Sequence, residues 1–144
     1  MDVENIKEIR KFNRSYTRIL KLTDKYHLNT HFALLESRLF LEIDRGVNTA
    51  NQLMELLQID KGYLSRVLKR LKNDGLIDDI RGDGDRRVKT LQLTVKGEAA
   101  LEEDNRRADQ QIENLFARIP ETELKKVIDD MKEIKDIVKK YSKE

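Results

Sequence analysis

"NTANQLMELLQIDKGYLSRVLKRLKNDGLI", residues 48–77, is the stretch on which the fold of this chain turns. Thr49 with Gln52 three residues later has the spacing of a capping box, which satisfies amide groups left without partners at a helix start. The short helix it opens is expected to end near Leu57, with Gln58–Ile59 as a tight turn. Asp60 then offers its carboxylate as N-cap to a second helix reaching about Asn73, and Gly75 stops it. Leu53, Leu56 and Ile59 fall where they can pack on Leu64, Val67, Leu68 and Leu71. Two short helices that share an apolar face across a tight turn form a helix-turn-helix.

The second helix also has a face outside that apolar stripe, made of Lys61, Gly62, Tyr63, Ser65, Arg66, Lys69 and Arg70. The major groove of DNA admits an α-helix, and Arg, Lys and hydroxyl-bearing side chains read its base edges. Gly62 lets the backbone approach closely, and Tyr63 and Arg66 are long enough to reach bases. A solvated helix face is the plain alternative, since lysine and arginine are common on exposed helices.

The residues just downstream change that balance. "DGLIDDIRGDGDRRVKTLQLT", residues 74–94, sets two β-prone runs, Leu76–Ile80 and Val88–Leu93, around a loop of Arg, Gly and Asp. Gly82 and Gly84 suit the positive φ angles of tight connections. A hairpin does not itself need Arg86 and Arg87. A helix-turn-helix followed at once by an arginine-bearing hairpin reads as a winged helix, with helix and wing reaching one duplex. A wing arginine can enter the narrow minor groove, where the negative potential is strongest. Asp83 or Asp85 would hold such an arginine by a charge-assisted hydrogen bond.

Charge distribution agrees. The net formal charge is only +2, but residues 61–96 carry ten basic and five acidic side chains. Residues 1–60 carry nine of each, and residues 97–144 carry ten basic and thirteen acidic. A basic patch confined to the middle of a nearly neutral chain is an electrostatic footprint for nucleic acid.

Working outward, Ile6, Ile9, Phe12, Tyr16, Ile19, Leu20 and Tyr26 recur at helical steps, so an amphipathic helix is expected over residues 4–26. A second is expected from about Thr30 to Arg45, burying Phe32, Leu35, Leu39, Phe40 and Ile43 and stopped by Gly46. After the hairpin, Val95–Phe116 reads as one long helix whose centre, EEDNRRADQQ, is expected to be solvated. Pro120 opens the last helix, with Glu121 and Glu123 where the helix dipole favours negative charge.

That last helix places Leu124, Val127, Met131, Ile134, Val138 and Tyr141 at alternating steps of three and four, a heptad-like seam widened by Ile128 and Ile137. With Ile6, Ile9 and Phe12 of the first helix it is expected to form a dimerisation surface. One winged helix spans few base pairs, whereas two joined copies meet half-sites about one helical turn of DNA apart.

Other chemistries find little support. The chain has no cysteine, so disulfides and thiolate metal sites are excluded. His27 and His31 stand four apart, but Asn29 and Thr30 between them suggest a helix break, and no metal is expected. Gly82-Asp83-Gly84 lacks the following helix and the Gly-Lys-Ser/Thr ending of a phosphate loop. Ser65 has no histidine nearby, so no catalytic group and no cofactor are expected. No apolar run approaches the roughly 20 residues of a membrane span, and the N-terminus lacks a signal-peptide core, so a cytoplasmic protein with no membrane partner is expected.

Residues 30–97 resemble the MarR family of bacterial transcriptional regulators. The likeness is carried by TANQLMELLQIDKGYLSRVLKRLKNDGLI followed by DRRVKTLQLTVKG, in which Asp85, Arg87, Leu93, Thr94 and Gly97 match the family's wing and post-wing signature. The resemblance implies a homodimer on a pseudo-palindromic operator, a recognition helix over Lys61 to Lys69, and Arg87 as the wing arginine. The family often carries a further arginine where Gly84 stands here, and Arg86 is the neighbour placed to substitute for it.

The expectation is therefore a mainly α protein with a small β-hairpin wing. A winged helix-turn-helix DNA-binding domain spans residues 30–97, and a helical dimerisation region is built from 1–29 and 117–144. Residues 98–116 are the connecting long helix. Lys61, Gly62, Tyr63, Ser65, Arg66, Lys69, Arg86, Arg87 and Lys89 are the candidate DNA contacts. The expected partners are double-stranded DNA and a second copy of the chain, with release by a small-molecule effector a further candidate. Tyr16, Tyr26, His31, Phe32 and Arg38 are the residues that could line an effector site. The function expected is transcriptional regulation, as a repressor. The alternative is a winged-helix interaction module of a larger two-domain protein such as an acyltransferase fusion.

Overall fold

The structure is a computed structural model and describes residues 1–22, 24, 28, 32–81 and 89–142. The elements in chain order are α1 (Val3–Ile19), α2 (Leu34–Asp44), α3 (Ala50–Leu57), α4 (Lys61–Asn73), β1 (Ile77–Arg81), β2 (Lys89–Leu93), α5 (Val95–Phe116) and α6 (Glu121–Tyr141). The chain divides into two compact units, residues 1–107 and 108–144.

In the first unit, the core gathers apolar side chains from α2, α3, α4, the hairpin and α5. Leu39, Phe40 and Ile43 of α2, Leu53 of α3, and Leu64, Val67, Leu68 and Leu71 of α4 are buried, and Leu76, Ile77, Leu91, Leu93 and Leu101 close the cluster. Each such side chain contributes roughly 1.5–3 kcal/mol by leaving water. Leu56, expected at the α3–α4 contact, is instead 50% exposed. The reason is helical geometry: Leu53, Met54 and Leu57 share the inward stripe, which turns Leu56 away.

Both ends of the helix-turn-helix close as its sequence implies. Thr49 Oγ1 accepts from the Gln52 amide at 3.2 Å, and Asp60 Oδ2 accepts from the Tyr63 amide at 3.1 Å. The turn between them uses Gln58 in the left-handed region, φ +53°. α4 ends on Gly75 at φ +74°, where the amides of Gly75 and Leu76 reach back to the carbonyls of Lys72 and Leu71 at 3.0 and 2.9 Å. This is a Schellman closure, and it aims the chain directly into the hairpin.

β1 and β2 pair antiparallel, Ile77 opposite Leu93 and Arg81 opposite Lys89. Alternation along β2 turns Leu91 and Leu93 to the core and Gln92 to solvent. The Leu91 amide also donates to Asn48 O at 2.7 Å, tying the wing to the segment before α3. The loop 82–88, with Gly82, Asp83, Gly84, Asp85, Arg86 and Arg87, lies outside the described residues, as do Tyr26, His27, Thr30 and His31.

At the base of the hairpin three elements are tied together. Thr94 donates its hydroxyl to Gly75 O at 2.5 Å, accepts from the Gly97 amide at 3.0 Å, and bonds Leu76 O through its own amide at 3.1 Å. Lys96 adds a bond to Asp74 O at 2.8 Å. α5 passes so close to the wing that a Cβ on Gly97 would collide with the carbonyl of Leu76.

Two helix boundaries differ from expectation. α1 stops at Ile19 rather than continuing to residue 26, because Lys21 turns left-handed at φ +54°. The amides of Lys21 and Leu22 bond back to Arg18 O and Thr17 O, a Schellman closure made without glycine and so without its usual sequence mark. α2 begins at Leu34 rather than Thr30, with the Glu36 carboxylate accepting from the Ala33 amide at 3.2 Å. Phe32, just outside the helix, packs edge-on against Phe40.

The polar centre of α5 is not wholly solvated either. Asp104 is buried and accepts from the Ser37 hydroxyl at 3.0 Å, and Arg107 donates to Leu28 O at 3.0 Å. A polar side chain can be buried where it finds a partner, and hydropathy alone does not show the partner. Glu103 accepts from both Arg106 and Arg107 at 2.7–2.9 Å.

In the second unit α5 ends at Phe116, and Pro120 stands immediately before α6. Glu121 and Glu123 occupy its first turn and Lys139 and Lys140 its last, both favourable to the helix dipole. No residue of α6 is fully buried, nor, in the first unit, is any residue of α1.

Gly97→Ala is expected to destabilise the protein by about 1–3 kcal/mol, the usual cost of overpacking, measured as a lower denaturation midpoint. An unchanged midpoint would mean that α5 shifts freely against the wing.

Glu103 gives a pH signature. Hydrogen bonds from Arg106, then Arg107, hold its carboxyl down to about 2. A depressed carboxylate stabilises the fold above its unfolded-state pKa and loses that contribution as pH falls through the folded value. Wild type is therefore expected to melt slightly above Glu103→Gln near neutral pH. The two curves should converge as pH approaches 2, followed by circular dichroism.

Candidate nucleic-acid interface

Asp60 starts α4 at a defined residue, which fixes the faces of all that follow. The stripe Leu64, Val67, Leu68 and Leu71 is buried, so Gly62, Arg66 and Lys69 project on the opposite side. Lys61, Ser65 and Lys72 flank them towards α3, and Tyr63 and Arg70 flank them on the other edge. Lys61, Gly62, Tyr63, Ser65, Arg66 and Lys69 are all exposed.

The cations of α4 fall into two groups. Arg70 Nη2 lies 2.6 Å from Glu36 Oε2, and the Glu36 side chain is only 9% exposed. The same carboxylate caps Ala33, so Arg70 is committed to holding α4 on α2. Lys72 Nζ lies 2.8 Å from Asp79 Oδ2 and ties α4 to β1. Lys61, Arg66 and Lys69 have no carboxylate within ion-pair distance among the described residues. These three carry net positive charge outward, and all lie in the first nine residues of the helix.

Arg66 also leans on its neighbour. Its guanidinium carbon stands 5.9 Å from the centre of the Tyr63 ring, one turn back towards the helix start. A groove of about 330 Å³ runs between α3 and α4, with Met54, Leu64 and Leu68 as its apolar floor and Lys61, Lys69 and Lys72 along it. Asn51, in the first turn of α3, lines the same groove beside Ser65. Sequence reasoning passed over Asn51, although the Thr49 cap places it in the first turn. Glu36 carried no such signal.

On the wing, Lys89 is exposed at the start of β2. Arg86 and Arg87 are not among the described residues. Of the residues considered for an effector site, Tyr16 stacks on Phe12 with ring centres 5.5 Å apart, Arg38 pairs with Glu42 at 3.6 Å, and Phe32 packs on Phe40. Tyr26 and His31 of the same set lie outside the described residues.

The candidate dimerisation residues lie largely open. Ile9 and Phe12 of α1 are 52% and 55% exposed, and Ile134 and Val138 of α6 are 53% and 63% exposed. Ile6, Met131 and Tyr141 are exposed too, whereas Leu124 and Val127 are half-buried.

Comparison with known proteins agrees with this geometry. Residues 32–88 match a model described as MarR family. The HTH-type transcriptional regulator BilQ of Clostridioides difficile (strain CD3) is 28% identical over 95 residues, 60% of this chain and 59% of that protein. The match thus spans less than two thirds of the relative's length. Among solved structures, a MarR family protein from Bacillus stearothermophilus superposes with a TM-score of 0.79 at 16% identity, covering 96% of this chain and 99% of that one. Streptococcus pneumoniae FabT, solved in complex with DNA, gives 0.77 at 19% identity, covering 98% and 100%. At such identities the structural likeness speaks for the fold, and the family-model match says that residues 32–88 of this chain are similar to the MarR family.

Proposed function

We propose that this chain is a DNA-binding transcriptional regulator that acts as a homodimer on a pseudo-palindromic operator, and that it represses by occupying that site. The observation that carries this reading is the separation of cations on α4. Arg70 and Lys72 are held by Glu36 and Asp79, while Lys61, Arg66 and Lys69 face outward without a carboxylate partner among the described residues. Such a surface gains free energy by displacing counterions from phosphates, so its binding weakens steeply with salt. Ser65 and Asn51 add hydrogen-bonding groups along the same groove.

Dimerisation is supported by the exposed apolar stripes of α1 and α6. Covering them removes a large apolar surface from water and fixes the spacing of two recognition helices. Control by a small molecule fits the same scheme. An effector would have to bind one spacing better than the other to release the operator. The similarity to a regulator named for transcription and to a protein solved on DNA supports the reading without supplying an operator.

Selection of bound duplexes from random DNA is the direct test. Enrichment of two inverted half-sites about one helical turn apart is expected, with affinity falling as salt rises. No salt-sensitive binding to any duplex at low ionic strength would overturn the proposal. For the dimer, Ile134→Lys is expected to give helical monomers in sedimentation equilibrium and at least about 10-fold weaker operator binding, because the second half-site contact is no longer intramolecular. A variant that remains dimeric would remove α6 from the interface.

A further inference from the structure

The first turn of α4 holds Arg66 in a way that its surface position does not require. Side chains on a helix lean towards its N-terminus, so Arg66 carries its head back over the turn that contains Gly62 and Tyr63. There the guanidinium carbon stands 5.9 Å from the Tyr63 ring centre. A Cβ built on Gly62 would lie 3.6 Å from Arg66 Nη1 and 3.2 Å from Asp60 Oδ2. A Cβ there would make only ordinary contact with Arg66, so the guanidinium is placed by the Tyr63 ring and not by the missing side chain. Asp60 is not within ion-pair distance of Arg66, and it already accepts from the Tyr63 amide. The donors of the guanidinium thus stay available at the end of the helix that a helix-turn-helix presents to base edges.

We propose that Tyr63 is a positioning residue for Arg66: its ring face holds the guanidinium at the helix start, oriented to read a guanine, and so sets the specificity of one base pair in each half-site. This rests on the DNA-binding function proposed above and adds which side chains set the choice of base. The fork of an arginine matches O6 and N7 of guanine, and a fork already held in place loses less freedom on binding. In this role Tyr63 works through its ring face, and its hydroxyl is dispensable.

The test uses the full chain and the duplex recovered by selection, together with versions carrying each other base pair at every half-site position. Tyr63→Phe keeps the ring and is expected to keep the guanine preference at the base pair that Arg66 reads. Tyr63→Leu should bind the selected duplex roughly 2- to 5-fold more weakly, the scale of an exposed cation–π contact. It should also lose guanine preference at the same base pair as Arg66→Ala. In the Arg66→Ala background, Tyr63→Leu should have almost no further effect. In the free protein, the Arg66 Nε–H NMR signal should be displaced by the ring current in wild type and Tyr63→Phe, and return towards an unstacked value in Tyr63→Leu.

An equal loss from Tyr63→Leu with and without Arg66 would mean that Tyr63 meets DNA by itself, and would overturn the proposal. So would a Tyr63→Phe variant that loses guanine preference as Tyr63→Leu does, or an Arg66 signal unaffected by loss of the ring. If wild type binds duplex DNA but the cycle is additive, only the positioning role falls. If wild type binds no duplex, the DNA-binding reading falls with it.

Discussion

The contact between the bare α-carbon of Gly97 and the carbonyl of Leu76 is the constraint around which the winged helix-turn-helix is organised. No other residue allows α5 to begin so near the first residues of the wing. Because it begins there, Thr94 can bond Gly75, Leu76 and Gly97 together, and Lys96 can reach the end of α4. The end of α4, the base of the hairpin and the start of α5 are then one joint. Leu76, Ile77, Leu91 and Leu93 bury beneath it, so a shift at the joint would also open the core. The placement of Lys61, Arg66 and Lys69 relative to the wing follows from that rigidity.

A second level of organisation is electrostatic. α4 is rich in cations, but they do different work. The Glu36 carboxylate is almost wholly buried, and leaving it without a partner would be costly, so Arg70 is held to it by desolvation as well as by attraction. Lys72 and Asp79 are more exposed, and their pairing contributes less to stability than to the alignment of α4 with β1. Removing these two from the outward face leaves a narrower basic surface, concentrated near the helix start. That narrowing is what makes the surface suited to grooves as well as to phosphates in general.

α1 and α6 present a different problem. Each has a regular apolar stripe, and each leaves much of it exposed. Isolated solvated helices gain little from such stripes, since helical stability in proteins comes mainly from packing an amphipathic face. A second copy of the chain is the simplest partner for surfaces of this kind. It would also provide the paired recognition helices that a pseudo-palindromic site requires.

Local chemistry explains what could be read directly. The Thr49 and Asp60 caps, the Gly75 stop and the alternation along β2 act within a few residues, so the helix-turn-helix and its hairpin were legible in the sequence nearly to their boundaries. The same holds for the choice of Lys61, Arg66 and Lys69 as an exposed face, because a defined helix start and a buried stripe determine which residues face outward. Lys21 ends α1 without a glycine, and no composition signal marks that turn. Glu36 with Arg70, and Asp104 with Ser37, join residues far apart in the chain, and their burial depends on surfaces that exist only after folding. Periodicity assigns a residue to a face. Which distant partner meets that face, and therefore which charges remain free for another molecule, was decided by tertiary packing.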